Sequence, residues 1–142
     1  MSTSGILVFK TIENENIILN LENTEILNVE LLKDDVIIYK HNDGGQIAEL
    51  LYYFLQDDAI RRNDATSLTA WGLYELMTYE GHLSRYKDDK RQYYAEAGLK
   101  YDISFIDFLF LVINGEKVLI YEYGKLRRVI DKIEYDELLY IH

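Results

Sequence analysis

The apolar residues of this chain change their spacing twice, and that change constrains the fold more than any other sequence feature. The first 41 residues and the last 40 show the short runs and alternation that are typical of β-strands. Between them, from about residue 43 to 98, apolar residues recur at helical spacing. Strands and helices that do not alternate along a chain favour the α+β class. We therefore predict antiparallel sheet strands at both ends of the chain, with a helical block at about 43–98 between them.

Four strands are predicted in the first segment. Ile6–Phe9 is a short run of β formers, and Val36–Tyr39 follows the polar turn Lys33-Asp34-Asp35. In the stretch 17–21 the residues Ile17, Leu19 and Leu21 alternate with Ile18 and Asn20, and in 27–31 apolar residues alternate with Asn28 and Glu30. We expect the latter pair to be neighbouring strands of one meander.

The helical block is predicted to hold three helices. The first carries Ile47, Leu50, Leu51, Phe54 and Leu55 on one face and runs to Arg61 or Arg62. The second starts near Thr66 or Ser67, carries Ala70, Leu73, Tyr74 and Met77 on one face, and stops at Gly81. The third covers Ser84–Ala97 and is closed by Gly98. Five core positions are predicted for the whole domain: Leu50, Phe54, Leu73, Phe108 and Leu119.

The last segment returns to strands. Phe105–Ile113 is apolar on both faces, as in a central strand. Asn114-Gly115 is a strong hairpin signal that joins it to Val118–Tyr121, and Gly124-Lys125 suits a second tight turn before the strand 126–130. We expect 135–141 to form a strand or a short helix, and we favour the strand.

Length and composition limit the architecture and the compartment. A chain of 142 residues is the usual size of one domain, so we assign a single domain, 1–142. Cysteine is absent, which excludes disulfides and zinc–thiolate sites. The beginning of the chain does not read as an export signal, so we expect a cytoplasmic location. The longest apolar stretch is too short for a bilayer, so we expect no membrane partner.

The net charge of −10 is concentrated near the beginning of the chain. Residues 1–60 hold 3 Lys or Arg against 11 Asp or Glu, a net charge of −8. Such a surface disfavours direct nucleic-acid binding and attracts basic partners, although acidity can also serve only solubility. The acidic surface that we predict for a partner with a basic surface consists of Glu22, Glu25, Glu30 and Asp34.

The segment between Arg61 and Tyr101 interleaves cations with aromatic residues, a composition that is enriched in binding hot spots. It also suits single-stranded nucleic acid or a nucleotide, and the alternative is that the tyrosines pack the helices onto the sheet. The candidate partner- or ligand-binding residues are Arg61, Arg62, Arg85, Tyr86, Arg91, Tyr93 and Tyr94.

Motifs for catalysis, metals and cofactors are weak. No Gly-x-Ser-x-Gly elbow occurs, and the three histidines form no ligand cluster in the sequence, so we predict no catalytic residue, metal or cofactor. The stretch 41–46 lies between a predicted strand and helix, where amides can hold an anion, but it lacks the Walker and dinucleotide spacings. We interpret it as a structural turn with an N-cap at Asp43.

In its small size, acidity and lack of cysteine the chain resembles many phage-encoded inhibitors of bacterial defence and bacterial toxin-immunity proteins. This resemblance is one of composition alone. The leading hypothesis is therefore a non-catalytic inhibitor or immunity-type protein that occupies a surface of a larger protein target. The alternatives are a domain that binds or sequesters a nucleotide-like molecule and a carboxylate-based hydrolase. The sequence leaves the oligomeric state open.

Overall fold

The structure, a computed structural model, describes residues 3–40, 44–78, 95–98 and 106–141. Within these residues the chain forms six strands: β1 (Gly5–Lys10), β2 (Ile37–Lys40), β3 (Ala95–Gly98), β4 (Phe108–Ile113), β5 (Lys117–Glu122) and β6 (Lys125–Ile130). The α-helices are α1 (Glu15–Glu22), α2 (Gln46–Phe54) and α3 (Ala65–Thr78), and the 3₁₀ helices described are Val29–Leu32 and Lys132–Tyr140.

The six strands form one mixed sheet in the order β3-β2-β1-β4-β5-β6. Neighbouring strands are antiparallel except β1 and β4, which run parallel with Gly5 beside Phe108 and Lys10 beside Ile113. The predicted α+β class is confirmed. The parallel pair is possible because a long excursion, with α1, β2, α2, α3 and β3, separates its two strands.

The central strands are buried on both faces, as the unbroken apolar run at Phe108–Ile113 predicted. One face of the sheet, with Leu7, Phe110 and Ile120, packs against α2, α3 and the Lys132–Tyr140 helix. The other face, with Val8, Leu111 and Leu119, packs against the segment between β1 and β2. The sheet therefore separates two apolar cores.

The first helix of the predicted block is confirmed, although α2 ends at Phe54 rather than near Arg61. Its predicted apolar face is buried, with Ile47, Leu50, Leu51 and Phe54 packed on the sheet. Of the five predicted core residues, Leu50, Phe54, Phe108 and Leu119 are buried and Leu73 is partly buried.

The second predicted helix is confirmed as α3, but its predicted face is wrong. Leu68 and Leu76 are buried, whereas Ala70, Tyr74 and Met77 are exposed. Gly72 explains the rotation of the helix: a Cβ at this position would lie 2.7 Å from Cε2 of Phe9, so the glycine allows α3 to approach β1 closely. The face through 68, 72 and 76 then lies on the sheet, and Trp71 is left outside.

Two strands predicted in the first segment are wrong. Residues 17–21 belong to α1, where the helical pair Ile18 and Leu21 faces the sheet while Ile17 and Leu19 are exposed. Residues 29–32 form a 3₁₀ helix whose N-cap is Asn28. The helices are therefore not confined to the predicted block.

Two further elements differ from the prediction. Ala95–Gly98, predicted as the end of a third helix, is β3, which pairs with β2. The part of that predicted helix before residue 95 lies outside the described residues. The chain ends in the Lys132–Tyr140 3₁₀ helix rather than a strand, because Tyr135 and Leu138, three residues apart, are the buried positions.

Both predicted hairpins are present. Asn114 and Gly115 have φ values of 54° and 62°, and the Glu116 amide donates to the Ile113 carbonyl at 3.1 Å. The second turn is centred on Tyr123 and Gly124, also with positive φ, one residue before the predicted Gly124-Lys125.

Candidate functional site

A layer formed by residues 13–35, hereafter the acidic layer, covers one face of the sheet. Its anchors are the buried side chains of Leu21, Leu27 and Leu32. Asparagine side chains begin both of its helices: Asn14 Oδ1 accepts the Asn16 amide at 2.9 Å, and Asn28 Oδ1 accepts the Glu30 amide at 3.1 Å. The layer is thus a folded surface fixed to the sheet rather than a meander within it.

The acidic layer contains seven Asp or Glu against one Lys, a net charge of −6. Of the predicted acidic residues, Glu25, Glu30 and Asp34 are exposed and make no ion pair with any described residue. Glu22 differs because its carboxylate lies 2.5 Å from Nζ of Lys117. Three of the four predicted residues therefore present charge to solvent, and the fourth holds the layer to β5.

Lys117 joins three elements at this attachment. Its ammonium contacts Glu22 of α1 at 2.5 Å and Asp131 at 3.5 Å, at the start of the C-terminal 3₁₀ helix. Partial burial lowers the pKa of Lys117, but the hydrogen bond to Glu22 and the charge of Asp131 outweigh that effect, so the pKa is raised above its usual value. Lys117 consequently remains a cation, and both carboxylates are held in place.

Apolar side chains are exposed on the same acidic layer. Ile17, Leu19, Ile26 and Val29 are between 44% and 59% exposed, with Ile26 the most open. Two of them, Ile17 and Ile26, border a cavity of about 230 Å³, which is lined by Ile17, Asn20, Leu21, Thr24, Ile26, Asn28, Leu31 and Tyr121. Glu25 and Glu30 flank this lining in the chain, so an apolar depression lies within a carboxylate-rich surface.

These exposed apolar residues were missed by sequence reasoning, because alternation at 17, 19 and 21 was interpreted as one buried strand face. The missed signal was the pair of helix N-caps. Asn14 precedes Glu15, and Asn28 precedes Glu30, and asparagine followed by an acid in the first turn is typical of a helix start. A helical interpretation would have placed Leu19 away from the face that carries Ile18 and Leu21.

A second concave surface, hereafter the α2–α3 groove, lies on the opposite face of the sheet. It has a volume of about 540 Å³ and is lined by Leu50, Tyr53, Phe54, Asp57, Ala59, Ile60, Arg61, Ser67, Leu68, Trp71 and Glu75. Of the predicted binding residues, Arg61 lies here with an exposed side chain, 4.0 Å from Asp64. Trp71 and Tyr53 border the groove and are 56% and 58% exposed.

Arg62, also predicted to bind a partner, makes contacts inside the fold. Its guanidinium donates to the Gly115 carbonyl at 2.5 Å and to the Leu55 carbonyl at 2.7 Å. These bonds tie the end of α2 to the β4–β5 turn. The other predicted residues of this set, Arg85, Tyr86, Arg91, Tyr93 and Tyr94, lie outside the described residues.

The glycine turn before α2 has a structural contact. The Gly44 amide donates to the Thr3 carbonyl at 2.9 Å, which joins the turn to the residues before β1. Gly45 is the N-cap of α2 and makes no side-chain cap bond, while the predicted cap Asp43 lies outside the described residues.

Neither a metal-binding cluster nor a membrane-spanning helix occurs in the parts of the chain that the structure describes. These parts contain no group of three or more His, Asp or Glu side chains able to hold a metal ion. No helix among them combines the length and apolarity needed to cross a bilayer.

Comparison with known proteins returned no match to a family model, to a curated protein or to a solved structure.

Proposed function

We propose that this protein is a non-catalytic binding protein that occupies a basic surface of a larger protein target through its acidic layer. The observation that carries the proposal is the apolar depression around Ile26, set in a layer that carries seven carboxylates against one lysine. Stable interfaces combine an apolar centre with a polar periphery, and this surface offers both.

The two parts of the acidic layer have different tasks in this proposal. Ile17, Ile26 and Val29 supply the contact area, and the depression accepts an apolar side chain of the target. The exposed carboxylates of Glu25, Glu30 and Asp34 attract a basic target and set its orientation. The compositional resemblance to inhibitors of bacterial defence and to immunity proteins supports an inhibitory role, in which the layer covers a functional surface of the target.

Quantitative affinity purification from the native host tests the proposal. The bait is the wild-type protein or one of two variants of the layer, Ile26→Asp and the pair Glu25→Lys with Glu30→Lys. The matched control reverses two exposed carboxylates outside the layer, Asp58 in the connection between α2 and α3 and Asp136 in the Lys132–Tyr140 helix. A basic protein captured by wild type and control, but lost from both layer variants, is the expected result. Equal capture by all baits, or capture of no protein by wild type, contradicts the proposal.

A further inference from the structure

The charges in and around the α2–α3 groove favour a cationic occupant. Residues 49–75 contain five Asp or Glu against two Arg, a net charge of −3. The lining itself holds two carboxylates, Asp57 and Glu75, and one cation, Arg61. The guanidinium of Arg62 donates hydrogen bonds to backbone carbonyls, and the guanidinium of Arg61 is within 4.0 Å of the Asp64 carboxylate. The groove thus presents negative charge, which disfavours a phosphate-bearing ligand.

Each of the two exposed aromatic side chains at the groove contacts a neighbouring ring. Trp71 packs edge-to-face with Tyr74, with ring centroids 5.8 Å apart and an interplanar angle of 82°. Tyr53 makes the same type of contact with Tyr52, at 5.0 Å and 83°. Both contacts have the edge-to-face geometry that aromatic pairs favour, and Trp71 and Tyr53 remain more than half exposed, so their rings are accessible to a ligand.

An ordered aromatic ring beside a carboxylate is the combination that recognises a guanidinium. The planar cation stacks on a ring face and donates paired hydrogen bonds to a carboxylate, which an ammonium does less well. Beneath these groups, Leu50, Phe54 and Leu68 line the groove with apolar surface. The volume of about 540 Å³ holds more than one side chain.

We infer that the α2–α3 groove binds a peptide segment of a partner protein, with an arginine side chain placed against Trp71 or Tyr53 and Asp57 or Glu75, and with a neighbouring apolar side chain on the groove floor. The groove and the acidic layer lie on opposite faces of the sheet. This site is therefore separate from the proposed target-binding surface and does not depend on it.

Trp71 is the only tryptophan in the chain, so its fluorescence reports directly on this groove. The probe is the capped peptide acetyl-Ala-Leu-Arg-Leu-Ala-amide, titrated into the full-length protein. A second peptide carries citrulline, which has nearly the shape of arginine without its charge. We expect saturable change of Trp71 emission with the arginine peptide and at least about fivefold weaker binding of the citrulline peptide.

Matched variants locate the interaction. The double variant Asp57→Asn with Glu75→Gln should bind the arginine peptide about fivefold or more weakly than wild type does. Its affinity for the citrulline peptide should be unchanged. Glu25→Gln with Glu30→Gln removes the same number of carboxylates from the acidic layer and should leave both affinities unchanged. Circular dichroism of each variant verifies that the fold is retained.

Three results would overturn the inference. The first is the absence of a saturable response to the arginine peptide. The second is equal affinity for the citrulline peptide, which would show an apolar groove without cation recognition. The third is tighter binding of adenosine monophosphate than of the arginine peptide, which would assign the groove to a nucleotide-like ligand. None of these results bears on the acidic layer, so the two proposals fail independently.

Discussion

Glycine is required at position 115 for two reasons, the positive φ of the residue and the close approach of Arg62. The φ of Gly115 is 62°, and a Cβ there would lie 2.6 Å from the Cα of Arg62. The Gly115 carbonyl also accepts a hydrogen bond from the same arginine, so the turn cannot move away without breaking that contact. The β4–β5 hairpin and the end of α2 are therefore fixed to each other at this residue.

We expect Gly115→Val to lower the free energy of unfolding by about 2–5 kcal/mol, since it combines backbone strain with overpacking. Gly124→Val is the matched control, because Gly124 has a φ of 81° but no atom within 4 Å of its Cβ position. The control introduces backbone strain alone. Its free energy of unfolding should therefore fall by about 1–3 kcal/mol less than that of Gly115→Val. Urea unfolding measures both variants, and an equal loss at both sites would show that the Arg62 contact is unimportant.

Two buried tyrosines make stability depend on alkaline pH. Burial raises the pKa of Tyr121 to about 12. Burial also raises the pKa of Tyr135 to about 12, although the charge of Arg62 opposes that shift. The phenols of the unfolded chain lose their protons near pH 10, whereas the two phenols of the folded chain keep theirs. Their contribution to the free energy of unfolding is therefore fully present below about pH 10. It is lost as the pH rises towards 12.

Tyr135→Phe should reduce that pH dependence. At neutral pH the variant loses the hydrogen bond of 2.6 Å from the phenol to the Glu116 carbonyl, which costs about 0.5–1.5 kcal/mol. Above about pH 10 its unfolding free energy should fall less steeply than that of wild type, since one late-titrating phenol is gone. Urea unfolding at a series of alkaline pH values measures the slope, and parallel pH profiles would exclude the burial argument for Tyr135.

At the scale of elements, α1 depends on one ionic attachment as well as on apolar anchors. Glu22→Gln should lower the unfolding free energy by about 1 kcal/mol, because it weakens a partly buried pair with Lys117. Glu25→Gln, three residues along the same layer, should change it by less than about 0.5 kcal/mol, since Glu25 is exposed. Hydrogen exchange of the α1 amides should quicken only in the Glu22 variant. Quickening in both variants would assign the effect to net charge rather than to the pair.

The elements also show which parts of the fold the sequence could predict. At Phe108–Ile113 every residue is apolar and a strong turn follows, so local pattern and tertiary environment agree and the strand was found. The helix α1 has only eight residues, and over so short a length alternation and helical spacing both fit the pattern. For α3, residues 70, 73, 74 and 77 also share a helical face, and only the close approach at Gly72 decides which face is buried.

The candidate site was predictable in its charge but not in its shape. Composition identified the acidic first segment, and Glu25, Glu30 and Asp34 are exposed as expected. The partner of Glu22 is 95 residues away in the chain, so no local pattern could reveal that contact. The depression around Ile26 also needs Tyr121 from a distant strand, and such surfaces appear only when the chain is folded.

At the scale of the whole molecule, the sheet separates two surfaces with different chemistry. One face carries the acidic layer, and the other carries α2, α3 and the groove with Trp71. This separation allows each surface to be changed without altering the other. In the proposed function, the net charge of −10 favours the approach of a basic target, and the acidic layer is where we propose that this target is held.

The central claim is that the acidic layer captures a basic protein, and the association rate constant with the purified target tests it most directly. The rate is measured at low and high salt for wild type, for Glu25→Lys with Glu30→Lys, and for the control Asp58→Lys with Asp136→Lys, which changes the net charge by the same amount. Steering between exposed charges is screened over about 8 Å at physiological ionic strength. The account predicts that the association rate constants of wild type and control fall steeply as salt rises. It also predicts that charge reversal in the acidic layer lowers the association rate constant more than the control charge reversal does. An association rate that ignores salt, or that falls equally in both reversal variants, would contradict the account.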